Sequence, residues 1–219
     1  MSEEKSLYAQ FCAALKTENF QMPAEFAGKE NLFNIFVARY RFANVFNGIT
    51  TSPENEYEEK TLRGYVAGMR LFLAYNALEL AANICANKKT KEEKEAWYAA
   101  MKIDGKDYPE LLKNARDFLG RKKGKDANGK ERKTFDKMLK AGLGREFAKY
   151  FRAFFNKEND DLSVFAQAVR IMFAHGYFTP SSSDLGTKAN AELFQKLADI
   201  VLAKSRAMVD ESLAKVLKK

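Results

Sequence analysis

The chain has 219 residues, of which 46% are hydrophobic and 30% are charged, and its formal net charge is +8. A chain of this length and balance can bury a core without disulfides or metals, which excludes an intrinsically disordered protein. Because it has one histidine and only two, widely separated cysteines, it lacks the ligand spacing of a zinc site, and we expect neither a metal nor a cofactor.

Apolar residues recur at three- and four-residue spacing along almost the whole chain, and period-two alternation is nearly absent. This pattern predicts an all-α fold, an antiparallel helical bundle with extra N-terminal helices and a basic loop insertion. We expect one all-helical domain over residues 1–219, in which the helices of residues 1–55 precede a bundle of residues 56–219. The predicted helices span residues 4–16, 31–47, 56–87, 91–101, 109–119, 133–141, 145–156, 161–175 and 187–217.

The third predicted helix, residues 56–87, is apolar on more than one face, which places it at the centre of the bundle. Its longest apolar run is interrupted by Asn76, Glu79 and Asn83, so it is too short and too polar to cross a membrane. The N-terminal segment is charged and lacks the apolar stretch of a signal peptide. We therefore expect a cytoplasmic protein with no membrane partner.

The most strongly charged stretch is RKKGKDANGKERK, residues 121–133, which lies in a predicted loop insertion of residues 120–133. It holds seven basic and two acidic residues, so five of the eight net positive charges lie within it. Two interpretations stay open: a loop that binds the phosphates of RNA, and a solvated lysine-rich loop. In the first, the RNA-binding residues are Arg121, Lys122, Lys123, Lys125, Lys130, Arg132 and Lys133.

The predicted helix of residues 145–156 is rich in aromatic side chains. Such side chains can stack on bases, or they can pack in a core or a dimer interface. We interpret this set as core or dimer-interface residues: Phe147, Tyr150, Phe151, Phe154 and Phe155.

The predicted helix of residues 161–175 ends with the stretch AVRIMFAHG, which contains the only histidine of the chain. At about 100° per residue, Arg170 lies roughly 95° to one side of the apolar stripe of this helix and His175 roughly 125° to the other. The two side chains therefore diverge on a straight helix, and they converge only if the helix unwinds near residue 174.

Both ends of this helix carry recognisable signals. Asn159 or Asp160 is the expected N-terminal cap. Gly176 is typical of the left-handed residue that follows a helix, which places His175 at the C-terminal end. There the helix dipole favours protonated imidazole, so His175 is suited to act as a general acid or base near neutral pH.

Arg170 and His175, followed by Gly176, resemble the Arg-x(4–6)-His signature of the HEPN superfamily, the helical-bundle domains of many prokaryotic ribonucleases and toxins. The stretch RLFLAYNALELAANI, residues 70–84, is similar to the family's central helix, and there Asn76 and Glu79 would be supporting polar residues of the site. The resemblance implies a HEPN-like bundle over residues 56–219. It also implies metal-independent RNA cleavage, in which Arg170 clamps the scissile phosphate and His175 transfers protons.

The number of histidines bears on the oligomeric state. One chain supplies only one imidazole, whereas cleavage of RNA by its 2′-OH needs both a base and an acid. A two-fold symmetric dimer brings two copies of His175 and two of Arg170 into one cleft, and the resemblance implies the same composite site. We therefore expect RNA and a second copy of the chain as partners. The toxin and antiviral roles of the family imply a cognate antitoxin or a defence partner.

The residue after the arginine departs from the family pattern. Active members usually carry a polar residue there, whereas this chain has Ile171. The difference favours two alternatives, a catalytically inactive HEPN-like module that binds RNA or a nucleotide, and a helical adaptor.

Overall fold

The computed structural model describes residues 7–14, 17, 22–49, 58–86, 90–125, 131–140, 143–176 and 186–217, and these form an all-α helical bundle, as predicted. The α-helices are α1 (Leu7–Ala14), α2 (Glu30–Val45), α3 (Glu59–Cys85), α4 (Lys91–Met101), α5 (Pro109–Gly120), α6 (Thr134–Lys140), α7 (Arg145–Phe155), α8 (Leu162–Ala174) and α9 (Lys188–Leu217). The remaining described elements are two 3-10 turns, Ala24–Phe26 and Gly105–Asp107, and a hairpin of β1 (Lys122–Lys125) and β2 (Glu131–Lys133). None of the described helices is both long and apolar enough to cross a membrane.

Helix α3 is the central helix, as its apolar pattern predicts, and it packs against α2, α8 and α9. Near the start of α3, Arg63 donates a hydrogen bond to the carbonyl oxygen of Gly186, just before α9. At the end of α3, the Cys85 thiol lies 3.4 Å from the carbonyl oxygen of Met208, well along α9. Helices α3 and α9 therefore run in the same direction.

Helix α8 runs antiparallel to α3. Its last turn places Phe173 over Gly68, where an added Cβ would lie 2.7 Å from the aromatic ring. One turn earlier, Arg170 reaches Glu79, which is farther along α3. These two contacts fix the register of α3 and α8. They bring the polar residues of α3 beside the second half of α8.

The face of α3 that meets α9 is apolar and buried. At about 100° per residue, the face that carries Arg63 and Cys85 also carries alternating alanines and leucines, all fully buried: Ala67, Leu71, Ala74, Leu78 and Ala81. Alternation of small and large side chains along one face lets the side chains of a second helix pack between them.

The basic segment forms a short antiparallel hairpin where the sequence predicts a loop. Lys122 pairs with Lys133 and Lys125 pairs with Glu131, with an irregular register between the two pairs. Lysine and glycine have low strand propensity and the segment has no apolar alternation, so its sequence carries no strand signal. Lys130, one of the predicted RNA-binding residues, lies outside the described residues.

The predicted apolar stripe of α8 is buried. Leu162, Phe165, Val169 and Met172 are all at most 1% exposed, whereas Phe173 is only half-buried. The helix buries more of its circumference than this stripe, because Ser163, Val164 and Ala168 are also buried. Arg170 and His175 lie outside this buried surface, as the helical arithmetic predicts.

Gly105→Ala is expected to destabilise the fold next to the start of α8. Gly105 is buried, its N–H donates to the carbonyl oxygen of Asp160 at 2.8 Å, and an added Cβ would lie 2.5 Å from that oxygen. The backbone has to shift to relieve this overlap, which costs about 1–3 kcal/mol of unfolding free energy. Urea unfolding measures the loss, with Gly120→Ala as the matched control because no atom lies within 4 Å of a Cβ there. Equal unfolding midpoints for the two variants would contradict the prediction.

Candidate functional site

Two polar side chains of α3 hold Arg170 of α8. Its Nη2 donates to Glu79 Oε2 at 3.2 Å, and its Nε and Nη2 both donate to Asn76 Oδ1 at 3.4 Å. Asn76 and Glu79 stand about one helical turn apart on α3, so their polar atoms lie on one face. The structure thus brings together three of the four side chains that the sequence predicts for the site.

These side chains line an open groove between α2, α3 and α8, which we call the Arg170 groove. Arg39 of α2 is exposed in the same groove and forms no ion pair with a described residue. The lining therefore includes two guanidinium groups and one carboxylate, that of Glu79. Its net positive charge is suited to an anion such as a phosphate.

The ion pair leaves part of the Arg170 guanidinium available. The side chains of Arg170 and Glu79 are 31% and 25% exposed, so their pairing contributes roughly 0–1 kcal/mol. Asn76 occupies the Nε–Nη2 edge, whereas Nη1 makes no hydrogen bond to a described residue. As far as the described residues go, a phosphate oxygen can accept from Nη1, whereas a bidentate clamp requires Asn76 or Glu79 to give way.

His175 forms the C-terminal cap of α8, and the helix stays regular up to it. Its backbone N–H donates to the carbonyl oxygen of Ile171 at 3.1 Å, and the N–H of Gly176 donates to that of Phe173 at 3.1 Å. Gly176 has a φ of 68°, in the left-handed region. The predicted end of the helix is therefore confirmed.

Because the helix end is regular, Arg170 and His175 lie on different sides of α8. Their side chains are about 140° apart around the axis and their Cα atoms about 7.5 Å apart along it. The unwinding near residue 174 that would bring them together does not occur. His175 is exposed and does not line the Arg170 groove, so a single chain does not place both groups in that groove.

Asp161 caps the start of α8, and the prediction of Asn159 or Asp160 is wrong. Its Oδ1 accepts the backbone N–H groups of Ser163 at 2.9 Å and Ile103 at 3.0 Å. Asn159 instead accepts the N–H of Asp161, and Asp160 forms an ion pair with α5. Burial raises the pKa of the Asp161 carboxyl, and the N–H groups that it accepts oppose this shift.

A second cavity, which we call the tyrosine cavity, lies beside the Arg170 groove on the same side of α8. Its lining includes Tyr75 of α3, Tyr98 of α4, Tyr150 of α7 and Gln167 of α8. Gln167 stands one turn before Arg170 on α8. Burial raises the pKa of the Tyr75 hydroxyl well above its usual value, and the charge of Arg170 acts in the opposite direction. The two cavities therefore share the seam between α3 and α8.

The tyrosine cavity does not follow from the sequence prediction, in which the aromatic residues of α7 form one core or dimer-interface set. Phe151 and Phe154 are fully buried and belong to the core, as predicted. Tyr150 is 53% exposed and is not a core residue. At about 100° per residue it lies at the edge of the stripe that the other aromatic residues form, so the helical period was the available signal.

Among the predicted RNA-binding residues, Arg121 is the one whose side chain the structure describes. The guanidinium of Arg121 lies over the ring of Phe118, 6.0 Å from its centroid, and Arg121 does not line the groove. The hairpin strands carry Lys122, Lys123, Lys125, Arg132 and Lys133. Their role in binding RNA stays a prediction.

Asp161→Asn is expected to change how the free energy of unfolding depends on pH. Burial raises the pKa of Asp161 in the folded chain above its unfolded value, so ionisation of this group favours unfolding. The stability of the unmodified chain relative to Asp161→Asn should therefore fall as pH rises above about 4, and it should not rise. Urea unfolding between acid and neutral pH checks this. Asp161→Ala is the control, because it also removes the cap and should cost about 1 kcal/mol relative to Asp161→Asn at every pH.

No family model, no curated protein and no solved structure matches the chain. The resemblance to the HEPN superfamily therefore rests on Arg170, His175 and the polar residues of α3. What the site does has to be inferred from its own geometry.

Proposed function

We propose that the chain is a metal-independent endoribonuclease of HEPN type that cleaves RNA at a site shared by two copies of the chain. The observation that carries the proposal is the placement of Arg170, which lies in an open groove held by Asn76 and Glu79. His175 follows at the exposed end of the same helix. A fixed guanidinium is suited to a phosphate, and an exposed imidazole is suited to proton transfer.

In the proposed reaction the ribose 2′-OH attacks the adjacent phosphorus and the P–O5′ bond breaks. The products are a 2′,3′-cyclic phosphate and a 5′-OH. One imidazole accepts the proton of the 2′-OH, and a second, protonated imidazole donates a proton to O5′. The guanidinium of Arg170 stabilises the negative charge that develops on the non-bridging oxygens.

The divergence of Arg170 and His175 on α8 supports the shared site. A phosphate bound to Arg170 in the groove does not meet His175 of the same chain, because that side chain is on another side of the helix. In a two-fold dimer, His175 of the partner subunit can supply the missing imidazole. The reaction needs both imidazoles at one phosphate, so in this dimer the scissile phosphate has to lie at the mouth of the groove beside the two-fold axis, where the exposed His175 of each chain can approach it.

The second candidate function is a module that binds RNA or a nucleotide without cleaving it. Two observations favour it: Ile171 follows the arginine, and Asn76 already occupies the edge of Arg170 that a bidentate phosphate would use. Such a module would use the positive charge of the Arg170 groove and of the hairpin for binding alone.

His175→Ala and Arg170→Ala are each expected to reduce RNA cleavage in EDTA by at least about 100-fold, because each removes a group that acts on the transition state. The measurement is the appearance of 2′,3′-cyclic phosphate ends on labelled RNA. Arg152→Ala is the matched control, since Arg152 is exposed on α7 and lies outside the groove. Equal cleavage by the unmodified chain and its three variants, or no cleavage by the unmodified chain, would contradict the nuclease proposal. RNA binding that persists in its absence would favour the second function.

Mixing experiments test whether the site is shared. If both copies of His175 act in one cleft, a dimer with one His175→Ala chain is inactive. After equal amounts of the two proteins have exchanged subunits, activity should fall to about one quarter rather than one half of the unmodified value. A fall to one half would show that one cleft does not need both copies of His175, whether each chain cleaves on its own or uses one histidine of its partner. Analytical ultracentrifugation of the mixture confirms that dimers are present during the assay.

A further inference from the structure

The tyrosine cavity has an aromatic wall that is open to solvent. Tyr98 and Tyr150 come from different helices, and their ring centroids are 6.3 Å apart with planes inclined by only 27°. Both rings are about half exposed. Large aromatic rings that face each other at an open cavity offer a stacking surface for a planar ligand.

The floor of the cavity carries polar groups that make no hydrogen bond to a described residue. One is the hydroxyl of Tyr75, a residue that is only 1% exposed. The other is the side-chain amide of Gln167, which is half-buried. Both groups line the cavity, so a ligand with matching donors and acceptors can bond to them there.

Three charged groups line the cavity. Asp161 also caps α8, and Glu95 and Lys102 are exposed. Because the two carboxylates outnumber the lysine, the cavity is suited to the uncharged part of a ligand rather than to a phosphate. The cavity volume of about 320 Å³ is at the small end of ligand sites and fits a single nucleotide better than a peptide.

We propose that the tyrosine cavity binds a nucleobase, with the base stacked on Tyr98 and Tyr150 and its polar edge bonded to Tyr75 and Gln167. A nucleobase is the common biological ligand that combines a flat aromatic face with a row of donors and acceptors along its edge. A sugar has no aromatic face, and an apolar ring leaves the floor groups unpaired. The base can belong to a free nucleotide or to single-stranded RNA.

The cavity adjoins the Arg170 groove, and this determines how a nucleotide bound in the cavity is oriented. Gln167 precedes Arg170 by three residues, about 4.5 Å along the axis of α8 and about 60° around it. A nucleotide with its base on Tyr98 and Tyr150 therefore extends its sugar and phosphate toward Arg170. This direction rests on the proposed function, whereas binding of the base does not.

Calorimetric titration of the His175→Ala protein tests the proposal independently of cleavage. The probes are the four nucleoside 5′-monophosphates, ribose 5-phosphate as the probe without a base, and single-stranded tetranucleotides of each base. At least one nucleotide or tetranucleotide should bind, and ribose 5-phosphate should bind at least about tenfold more weakly, because stacking depends on the base. If the chain does not cleave RNA, binding of a base can still be measured. If no base binds, the outcome of the cleavage assay is unchanged.

Four variants locate the site. Tyr150→Leu should weaken binding by about tenfold, and Tyr150→Phe should not, since it keeps the stacking ring. Tyr108→Leu is the matched control, because Tyr108 is also an exposed tyrosine but lies outside the cavity. Tyr75→Phe keeps the buried ring and removes only the hydroxyl, so it should reduce the preference among the four bases. Thermal unfolding of each variant separates a loss of binding from a loss of fold.

The outcomes decide between the sources of the base and can overturn the proposal. If monophosphates and tetranucleotides bind equally well, the ligand is a single nucleotide; if tetranucleotides bind more tightly, it is a base of RNA. Either result supports the site provided that Tyr150→Leu weakens it. The proposal is overturned if no probe binds at up to about 5 mM, which is weaker than a specific site requires. It is equally overturned if Tyr150→Leu and Tyr108→Leu bind alike.

Discussion

The packing of α3 against α9 determines where the polar residues of the site lie. The face of α3 that includes Ala74 is buried, and α9 lies beside it from Arg63, which bonds to Gly186, to Cys85, which lies against Met208. Asn76 and Glu79 lie about 140–200° around the helix from Ala74. They are therefore on the side that α9 leaves uncovered, where α2 and α8 meet α3 and a groove remains between them.

This position imposes a requirement on α8. Glu79 is only a quarter exposed, and a half-buried carboxylate without a partner is unfavourable. Arg170 provides the partner, and the antiparallel register set by Phe173 over Gly68 brings it there. Arg170 thus has a structural role in joining α8 to α3, in addition to any contact with a phosphate. For this reason a matched arginine control on another helix is needed to interpret its substitution.

The sequence predicted the helices and much of the seam between α3 and α8 because both depend on local period. The apolar spacing located each helix, and the resemblance singled out Asn76 and Glu79 as partners of the site, which the structure places against Arg170. Gly176 after His175 was sufficient to predict the end of α8, because a left-handed residue there is a local preference.

Features that depend on a distant segment could not be predicted in this way. Three consecutive residues, Asn159, Asp160 and Asp161, can all cap a helix, and the choice among them depends on Ile103, whose N–H bonds to the last of them. The shared direction of α3 and α9 depends on the path of the helices between them, α4 to α8, and the local apolar pattern does not encode that path. The tyrosine cavity combines side chains from four helices, so no single stretch of sequence identifies it.

The charges that lie between the two cavities do not control the hydroxyl on which the tyrosine cavity depends. Burial raises the pKa of the Tyr75 hydroxyl well above its usual value, and Glu79 raises it further, whereas Arg170 lowers it. A phosphate bound to Arg170 weakens the effect of the guanidinium and so raises this pKa again. Because the hydroxyl is protonated at neutral pH with or without that phosphate, it is a hydrogen-bond donor to a base in both cases. Any coupling between a base in the tyrosine cavity and a phosphate in the Arg170 groove therefore has to come from the covalent connection between them in one nucleotide.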